Sequence, residues 1–289
     1  MPDNSKMTFV NSQLEIRIKP YDKQKYLITK ELLENYSINT VCIEANCPNR
    51  YECFSKGTAT FMILGKICTR NCFYCNIQKG IPKKVDNSEP KMVAEVIKKL
   101  KLDYVVITCV TRDDLKDSGA GHFVKTINEI RNTNPNCKIE VLISDLKGNW
   151  KELKKIIDAK PDILNHNMEV VKELFSKLRP KGNYILSLEL LKKAKEFNPK
   201  LKTKSGFMLG FGESEDQINK TIKELKEVNC DIITLGQYLQ PSKKHFKVKK
   251  YYTFEEFKKI KEKARQIGIS NIIASPLVRS SYKANEISK

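Results

Sequence analysis

The sequence predicts an α/β fold, a partial (β/α)6 TIM-like barrel whose N-terminal and C-terminal extensions cover the barrel mouth. Three observations predict it. Six apolar runs read as strands, and each is followed by at least one amphipathic helix pattern, the alternation of a parallel sheet. Polar clusters sit just after these runs, at the strand ends where βα barrels keep their working loops. The turn after the first run holds cysteines, where a doubly wound sheet would bring a Gly-rich phosphate turn.

Residues 1–55 show little periodicity beyond a short helical pattern at 30–36. From Thr60 onward the alternation starts. Strands are predicted at 61–64, 104–110, 139–144, 162–165, 205–209 and 231–235, because β-branched and aromatic residues crowd there between turn signals. Helices are predicted at 91–101, 122–132, 149–158, 168–178, 186–197 and 215–228 from apolar positions three and four apart. A last helix at 254–267 precedes a short apolar run, 272–274. The expected division is an N-terminal extension at 1–58, a partial barrel at 59–250 and a C-terminal helix and tail at 251–289.

The chain has 289 residues, 40% of them hydrophobic, enough for one large domain with a substantial core. No apolar stretch reaches the length of a membrane span. The first residues lack an apolar leader segment, so a cytoplasmic protein is expected. The formal charge of +19 comes from 45 Lys and 8 Arg against 34 acidic residues, with no block of five or six consecutive bases, which reads as a Lys-rich solvated surface more than a nucleic-acid face. Five of the eight Arg (Arg50, Arg70, Arg112, Arg179 and Arg279) fall inside motif strings, where a planar bidentate cation has a use that Lys cannot fill.

Six of the nine cysteines lie between Cys42 and Cys75, in two triplets, Cys42-x4-Cys47-x5-Cys53 and Cys68-x3-Cys72-x2-Cys75. Free thiols this close oxidise or cross-link unless something occupies them, and in a reducing compartment metal is the better expectation than disulfide. Each triplet can give three thiolates to an iron–sulfur cluster and leave one iron open. Zinc prefers four ligands in paired units, which the x3-x2 spacing fits poorly.

The string Cys68-Thr69-Arg70-Asn71-Cys72-Phe73-Tyr74-Cys75 resembles the radical S-adenosylmethionine superfamily motif, including the aromatic residue before the third Cys. The string from Cys42 to Cys53, with Arg279-Ser280-Ser281-Tyr282 near the C-terminus, closely resembles the lipoyl synthase family. Further matching strings are Val110-Thr111-Arg112-Asp113-Asp114-Leu115, Asn165-His166-Asn167-Met168-Glu169, Arg179-Pro180, Lys204-Ser205-Gly206 and the stretch from Gly236 to Ser242 with His245. The sequence departs from the pattern at Thr111, at Ser118-Gly119 and at Ala274-Ser275-Pro276.

The resemblance implies two 4Fe–4S clusters per chain. Cys68, Cys72 and Cys75 would hold the one that binds and cleaves S-adenosylmethionine. Cys42, Cys47 and Cys53 would hold an auxiliary cluster with Ser281 as its fourth ligand, Ser280 being the alternative. It implies insertion of two sulfur atoms at the sixth and eighth carbons of a protein-bound octanoyl chain, with the auxiliary cluster as sulfur donor and two S-adenosylmethionine molecules consumed. Those C–H bonds are unactivated, beyond any side-chain acid or base. Asn165, Asn167, Glu169, Arg179, Lys204 and Gln237 are the candidates for holding S-adenosylmethionine or octanoyl-lysine. The implied partners are octanoylated lipoyl domains of 2-oxo-acid dehydrogenases, the glycine-cleavage H protein, a low-potential donor such as flavodoxin or ferredoxin, and iron–sulfur assembly carriers.

Bland roles are expected elsewhere. His122, His166 and His245 read as structural, His166 having the best functional case because it follows a strand. Cys109, Cys137 and Cys230 read as small packed residues, and Asp113-Asp114 as a turn paired with Arg.

Overall fold

Seven parallel strands, laid side by side in chain order, form the centre of the described residues. The computed structural model describes residues 7–10, 13–16 and 20–287. Ahead of the sheet come a small antiparallel pair, β1 (Met7–Val10) and β2 (Gln13–Ile16), then helices α1 (Lys23–Asn35), α2 (Val41–Glu44) and α3 (Arg50–Ser55). Strand β3 (Thr60–Ile63) starts the sheet, and the two-residue strands β4 (Ile67–Cys68) and β5 (Gln78–Lys79) pair with each other above it. There follow α4 (Glu89–Lys99), β6 (Tyr104–Cys109), α5 (Ala120–Thr133), β7 (Lys138–Leu142), α6 (Trp150–Asp158) and β8 (Ile163–Asn165). Then come α7 (Lys172–Leu178), α8 (Tyr184–Phe197), β9 (Lys202–Leu209), α9 (Glu215–Glu227) and β10 (Ile232–Gln237). The chain closes with α10 (Phe254–Gln266), β11 (Asn271–Ala274) and α11 (Ala284–Ile287).

The sheet order is β3-β6-β7-β8-β9-β10-β11, with every neighbouring pair parallel. An order that never reverses has no switch point, so the sheet curls into a partial barrel. β3 and β11 are its two edges. Helices pack on its outside over two apolar cores. One is centred on residues such as Ile97, Phe123 and Val141, the other on Phe207, Ile222 and Phe257. Side chains alternate along each strand. Tyr104, Val106, Ile163 and Ile232 meet Ala284 of α11 in a third, small cluster.

Local chemistry sets the element ends. Ser214 with Gln217 and Thr253 with Glu256 form capping boxes that start α9 and α10. Asn183 caps α8 in the same sense through its side-chain oxygen.

Two expectations need correction. The run 272–274 is a seventh sheet strand: β11 pairs with β10, Ile232 opposite Asn271, so α10 and β11 continue the alternation beyond six units. A run this short, with no helix after it, gave no strand signal of its own. The helix predicted from 168 begins at Lys172. Glu169 takes φ +69°, and its N–H and C=O bond to Gly206 and Met208, which draws the segment alongside β9 before the helix starts. Among the described residues no helix is long and apolar enough to cross a membrane.

Candidate active site

The loop of the second triplet is fixed from its root. After β3, Leu64 and Gly65 both take positive φ (+69° and +85°), and Leu64 is gripped on both sides. Its N–H donates to Glu89 at 2.7 Å, while its carbonyl accepts from Arg112 at 3.2 Å. The β4–β5 pair sets Cys68 opposite Lys79, and the Gly80 N–H donates to the Cys68 carbonyl at 3.1 Å, closing the loop on itself. Arg70, inside the loop, donates to both oxygens of Asp113 (2.8 and 2.9 Å) and to both of Asp145 (2.5 and 2.6 Å). Burial alone would raise the Asp145 carboxyl, but the Arg70 hydrogen bonds and charge win and hold it down to about 2. The Phe73 N–H donates to Leu178 at the end of α7, and its carbonyl accepts from Phe246. His245 bonds the Cys75 carbonyl through Nε2 at 3.2 Å and Ser242 through Nδ1 at 2.9 Å. Loops after β3, β6, β7 and β10 thus all hold one cysteine segment.

The first triplet is spread over two short helices. Thr40 caps α2, which carries Cys42; a left-handed turn at Asn46 (φ +49°) brings round Cys47; α3 carries Cys53. Burial pushes the Cys42 thiol up to about 12, with Cys47 adding to it. Cys53 is raised further, by burial first and then by Cys42 and Cys47. In the second triplet burial pushes Cys75 up to about 12, with Cys72 and Cys68 adding. The thiols of Cys42, Cys53 and Cys75 stay protonated at neutral pH until a cation draws off their protons. All nine cysteines are free thiols. Among the described residues no three His, Cys, Asp or Glu gather tightly enough for a single metal ion. Three cysteines per triplet match the number of thiolates an iron–sulfur cluster takes when one of its irons is left open.

The two triplets are joined. Asn76, next to Cys75, donates to the carbonyl of Glu44 between Cys42 and Cys47, at 2.8 Å. The C-terminal tail is sewn to the first triplet at two points: Asn49 donates to the Leu277 carbonyl at 2.7 Å, and the Tyr282 hydroxyl to Glu52 at 2.9 Å. The tail crosses over β10 at Gly236, where a Cβ would lie 2.0 Å from the Val278 carbonyl oxygen. A cavity of about 560 Å³ is lined by Cys47, Cys75, Asn167, Glu169, Ser280 and Ser281 among others. A second, of about 290 Å³, is lined by Cys42, Cys53 and Ser281 among others. Ser281 borders both.

Comparison with known proteins agrees with this geometry. Residues 62–225 match the radical SAM superfamily. Solved structures share the fold at low identity: Streptococcus suis SuiB bound to S-adenosylmethionine (TM-score 0.59, 14% identical, covering 86% of this chain and 60% of that one) and methylornithine synthase (TM-score 0.56, 14% identical, covering 87% and 72%). The lipoyl synthase of Alkaliphilus metalliredigens is 50% identical over 94% of this chain and 93% of its own length. That of Caldanaerobacter subterraneus subsp. tengcongensis is 48% identical over 94% of each. The chain belongs to the lipoyl synthase family.

Of the residues the sequence singled out, Asn167 and Glu169 stand in the wall of the larger cavity. Burial raises the Glu169 carboxyl against the opposing pull of Arg179 and the Asn167 amide. Arg179 stands behind them, donating to the carbonyls of Asn167 (3.2 Å) and Met168 (3.1 Å). Lys204 and Asn165 lie deeper in the barrel. Lys204 Nζ is 3.0 Å from both oxygens of Glu140, and Asn165 donates to the same carboxylate at 2.9 Å, as does Tyr104 at 2.6 Å. Gln237 gives its amide N–H groups to the carbonyls of Tyr238 and Lys250 and accepts from the Tyr252 N–H, so it braces backbone. His166 is buried and bonds the Ile143 carbonyl; burial lowers it to about 4, which keeps it neutral. His122 pairs with Glu89, and Asp113 and Asp114 pair with Arg70 and Arg112. Sequence reasoning missed Asp145, Glu140, Asn49, Glu52 and Asn76; for Asp145 the available signal was Arg70, a guanidinium in a chain that otherwise uses Lys.

Proposed function

We propose that this chain inserts two sulfur atoms at the sixth and eighth carbons of an octanoyl-lysine on a carrier protein. One observation supports the reading above the rest: Cys47, Cys75 and Ser281, drawn from both triplets and the tail, face one cavity of about 560 Å³. In this reading Cys68, Cys72 and Cys75 hold one 4Fe–4S cluster, and Cys42, Cys47, Cys53 and Ser281 hold a second. The bound groups supply what side chains cannot, with S-adenosylmethionine and the first cluster providing a hydrogen-abstracting radical and the second cluster providing sulfur.

The chain's own residues bind, orient and exclude. Val41, Leu142, Met208 and Leu239 give the cavity an apolar lining suited to an alkyl chain. Glu169 and Asn167 offer an acceptor and a donor for the polar end of S-adenosylmethionine. Arg70, clamped between Asp113 and Asp145, holds the second cysteine loop over the strand ends. Asn49 and Tyr282 hold the tail against the first triplet, which supports Ser281 as the fourth ligand. An octanoyl chain seated against this apolar lining would displace water and stray hydrogen donors from the reacting carbons.

The division at 1–58, 59–250 and 251–289 fits these roles: auxiliary-cluster support, radical chemistry, and the serine-bearing tail. Octanoylated lipoyl domains and the glycine-cleavage H protein are the proposed carriers, and flavodoxin or ferredoxin the proposed reductant. Reducing cytoplasm would keep nine free thiols available for iron. The test is anaerobic reconstitution with iron and sulfide. About eight irons per chain are expected, together with two added sulfurs on an octanoylated carrier read by mass spectrometry. A protein that takes up only half that iron, or leaves the carrier unchanged, refutes the reading.

A further inference from the structure

We propose that Ser280 is a positioning residue for Ser281, and that through Asn167 it makes the hold on Ser281 depend on what occupies the larger cavity. The inference rests on the reading of Ser281 as a cluster ligand. It deepens that reading by giving the neighbouring serine a separate task.

The Ser280 hydroxyl and the Asn167 amide bond each other twice. Asn167 Nδ2 donates to Ser280 Oγ at 2.8 Å, and Ser280 Oγ donates back to Asn167 Oδ1 at 3.0 Å, across 113 positions of sequence. The other Nδ2 hydrogen goes to Glu169 Oε1 at 3.0 Å. An amide nitrogen has two hydrogens, and here both are used. The fit is close on the barrel side as well: a Cβ on Gly206 would lie 3.1 Å from Ser280 Oγ and 3.2 Å from Asn167 Oδ1, so the pair rests against bare backbone. Ser280 is therefore committed, which leaves Ser281 as the hydroxyl facing both cavities.

The tail's other two side-chain anchors, Asn49 to Leu277 and Tyr282 to Glu52, end on the first triplet's own segment and would travel with it. Of these three side-chain anchors, Ser280 is the one that reaches the cavity wall of the barrel, beside the backbone bond from Gln237 to Pro276 and the packing of Ala284 on the strands. A ligand that recruits the Asn167 amide N–H groups must take a hydrogen bond from this chain of contacts, since both hydrogens are already used. What it takes from Asn167 comes either from Ser280, one residue from Ser281, or from Glu169, whose release turns the amide that Ser280 leans on. Occupancy of the cavity wall and the hold on Ser281 are linked through a shared donor, and by linkage each alters the other.

The test uses the reconstituted, oxidised protein without reductant, so that no turnover occurs. S-adenosylmethionine is added, iron loss to a chelator is timed, and deuterium uptake is followed at amides 278–284 in both the reconstituted and the iron-free protein. In the wild type, S-adenosylmethionine is expected to speed iron loss about fivefold, the scale of one hydrogen bond. Ser280→Ala should start with the full iron count, lose iron at the faster rate with or without S-adenosylmethionine, and show raised uptake at 278–284 even without iron. Ser280→Thr, which keeps the hydroxyl, should restore the response, and Asn167→Ala, which removes both partners of the Ser280 hydroxyl, should copy Ser280→Ala. A Ser280→Ala protein with wild-type iron loss and a wild-type response to S-adenosylmethionine overturns the inference while leaving the function intact. A wild type that holds only about four irons refutes the underlying reading, and this inference with it.

Discussion

Asn76 donates a hydrogen bond from Nδ2 to the carbonyl of Glu44 at 2.8 Å, and this contact ties the loop of one cysteine triplet to the helix of the other. Asn76 follows Cys75 directly, and Glu44 lies between Cys42 and Cys47, so the bond sets the separation of the two proposed clusters. Asn76→Ala should cost about 1 kcal/mol of stability, the ordinary loss for one such bond, and leave both clusters loaded. Its effect should fall on turnover, because small misplacement of reacting groups is costly. Iron counting alongside single-turnover formation of the first C–S bond checks this: full iron with a rate lowered about tenfold is expected, and an unchanged rate counts against it.

Asp145 gives a pH signature. Its carboxyl is held at about 2, below the ordinary value of 3.8, because Arg70 outweighs the opposing effect of burial. A depressed carboxylate contributes stability above its unfolded value and loses that contribution as pH falls from about 4 to about 2. The difference corresponds to about 2 kcal/mol at neutral pH. Asp145→Asn should therefore be less stable than the wild type at pH 7, with the gap narrowing below pH 4. Urea unfolding of the iron-free chain between pH 7 and 3 measures it, and a gap that does not vary with pH would show that the pairing is not its source.

The strand and helix alternation was legible because apolar periodicity is a local signal, and all six predicted strands lie in the sheet. Cysteine spacing was legible for the same reason. What could not be read were contacts between distant segments. Nothing near Asn49 announces Leu277, and nothing near Ser280 announces Asn167. Lys204 shows the limit from the other side: its motif marked it as important, but its partner, Glu140, lies on another strand and carries no motif of its own. Gln237 likewise matched a pattern whose physical content, bracing the backbone at Tyr238, Lys250 and Tyr252, appears only in three dimensions.

The Glu140–Lys204 pair is buried, with the two side chains 0% and 1% exposed. Removing one charge strands the other, so Lys204→Met alone should cost about 3–5 kcal/mol. The double variant Glu140→Gln with Lys204→Met removes both charges. Its new glutamine oxygen can still accept from Tyr104, and once the Asn165 amide turns over, the glutamine N–H can donate to Asn165 Oδ1 in place of the bond that Asn165 Nδ2 now makes there. The double variant should regain most of the loss in chemical denaturation. If it is no better than Lys204→Met, desolvated charge is not what dominates there.

Gly236 tests the path of the tail. A Cβ at that position would meet the Val278 carbonyl at 2.0 Å and the Arg279 guanidinium at 3.0 Å, so Gly236→Ala must move the tail or the end of β10. The tail is the cheaper of the two to move, since β10 is buried along its whole length. The substitution should cost about 1–3 kcal/mol, speed tryptic cleavage at Lys283, and weaken retention of the first-triplet iron while sparing the second. Equal loss of iron from both sites would mean that the barrel had given way.

The net charge of +19 separates carrier docking from chemistry at the cavity. A carrier domain with an acidic surface would meet this basic chain over a wider area than a peptide does, and there opposite charges would speed encounter and salt would screen them within about 10 Å at 0.1 M ionic strength. A short octanoyl-lysine peptide presents the same acyl group to the cavity without that area. Raising salt should therefore weaken binding of the octanoylated domain much more than binding of the peptide, with kcat for each nearly unchanged. Parallel salt slopes would mean that the lysines serve solubility alone, and that carrier choice is made inside the cavity.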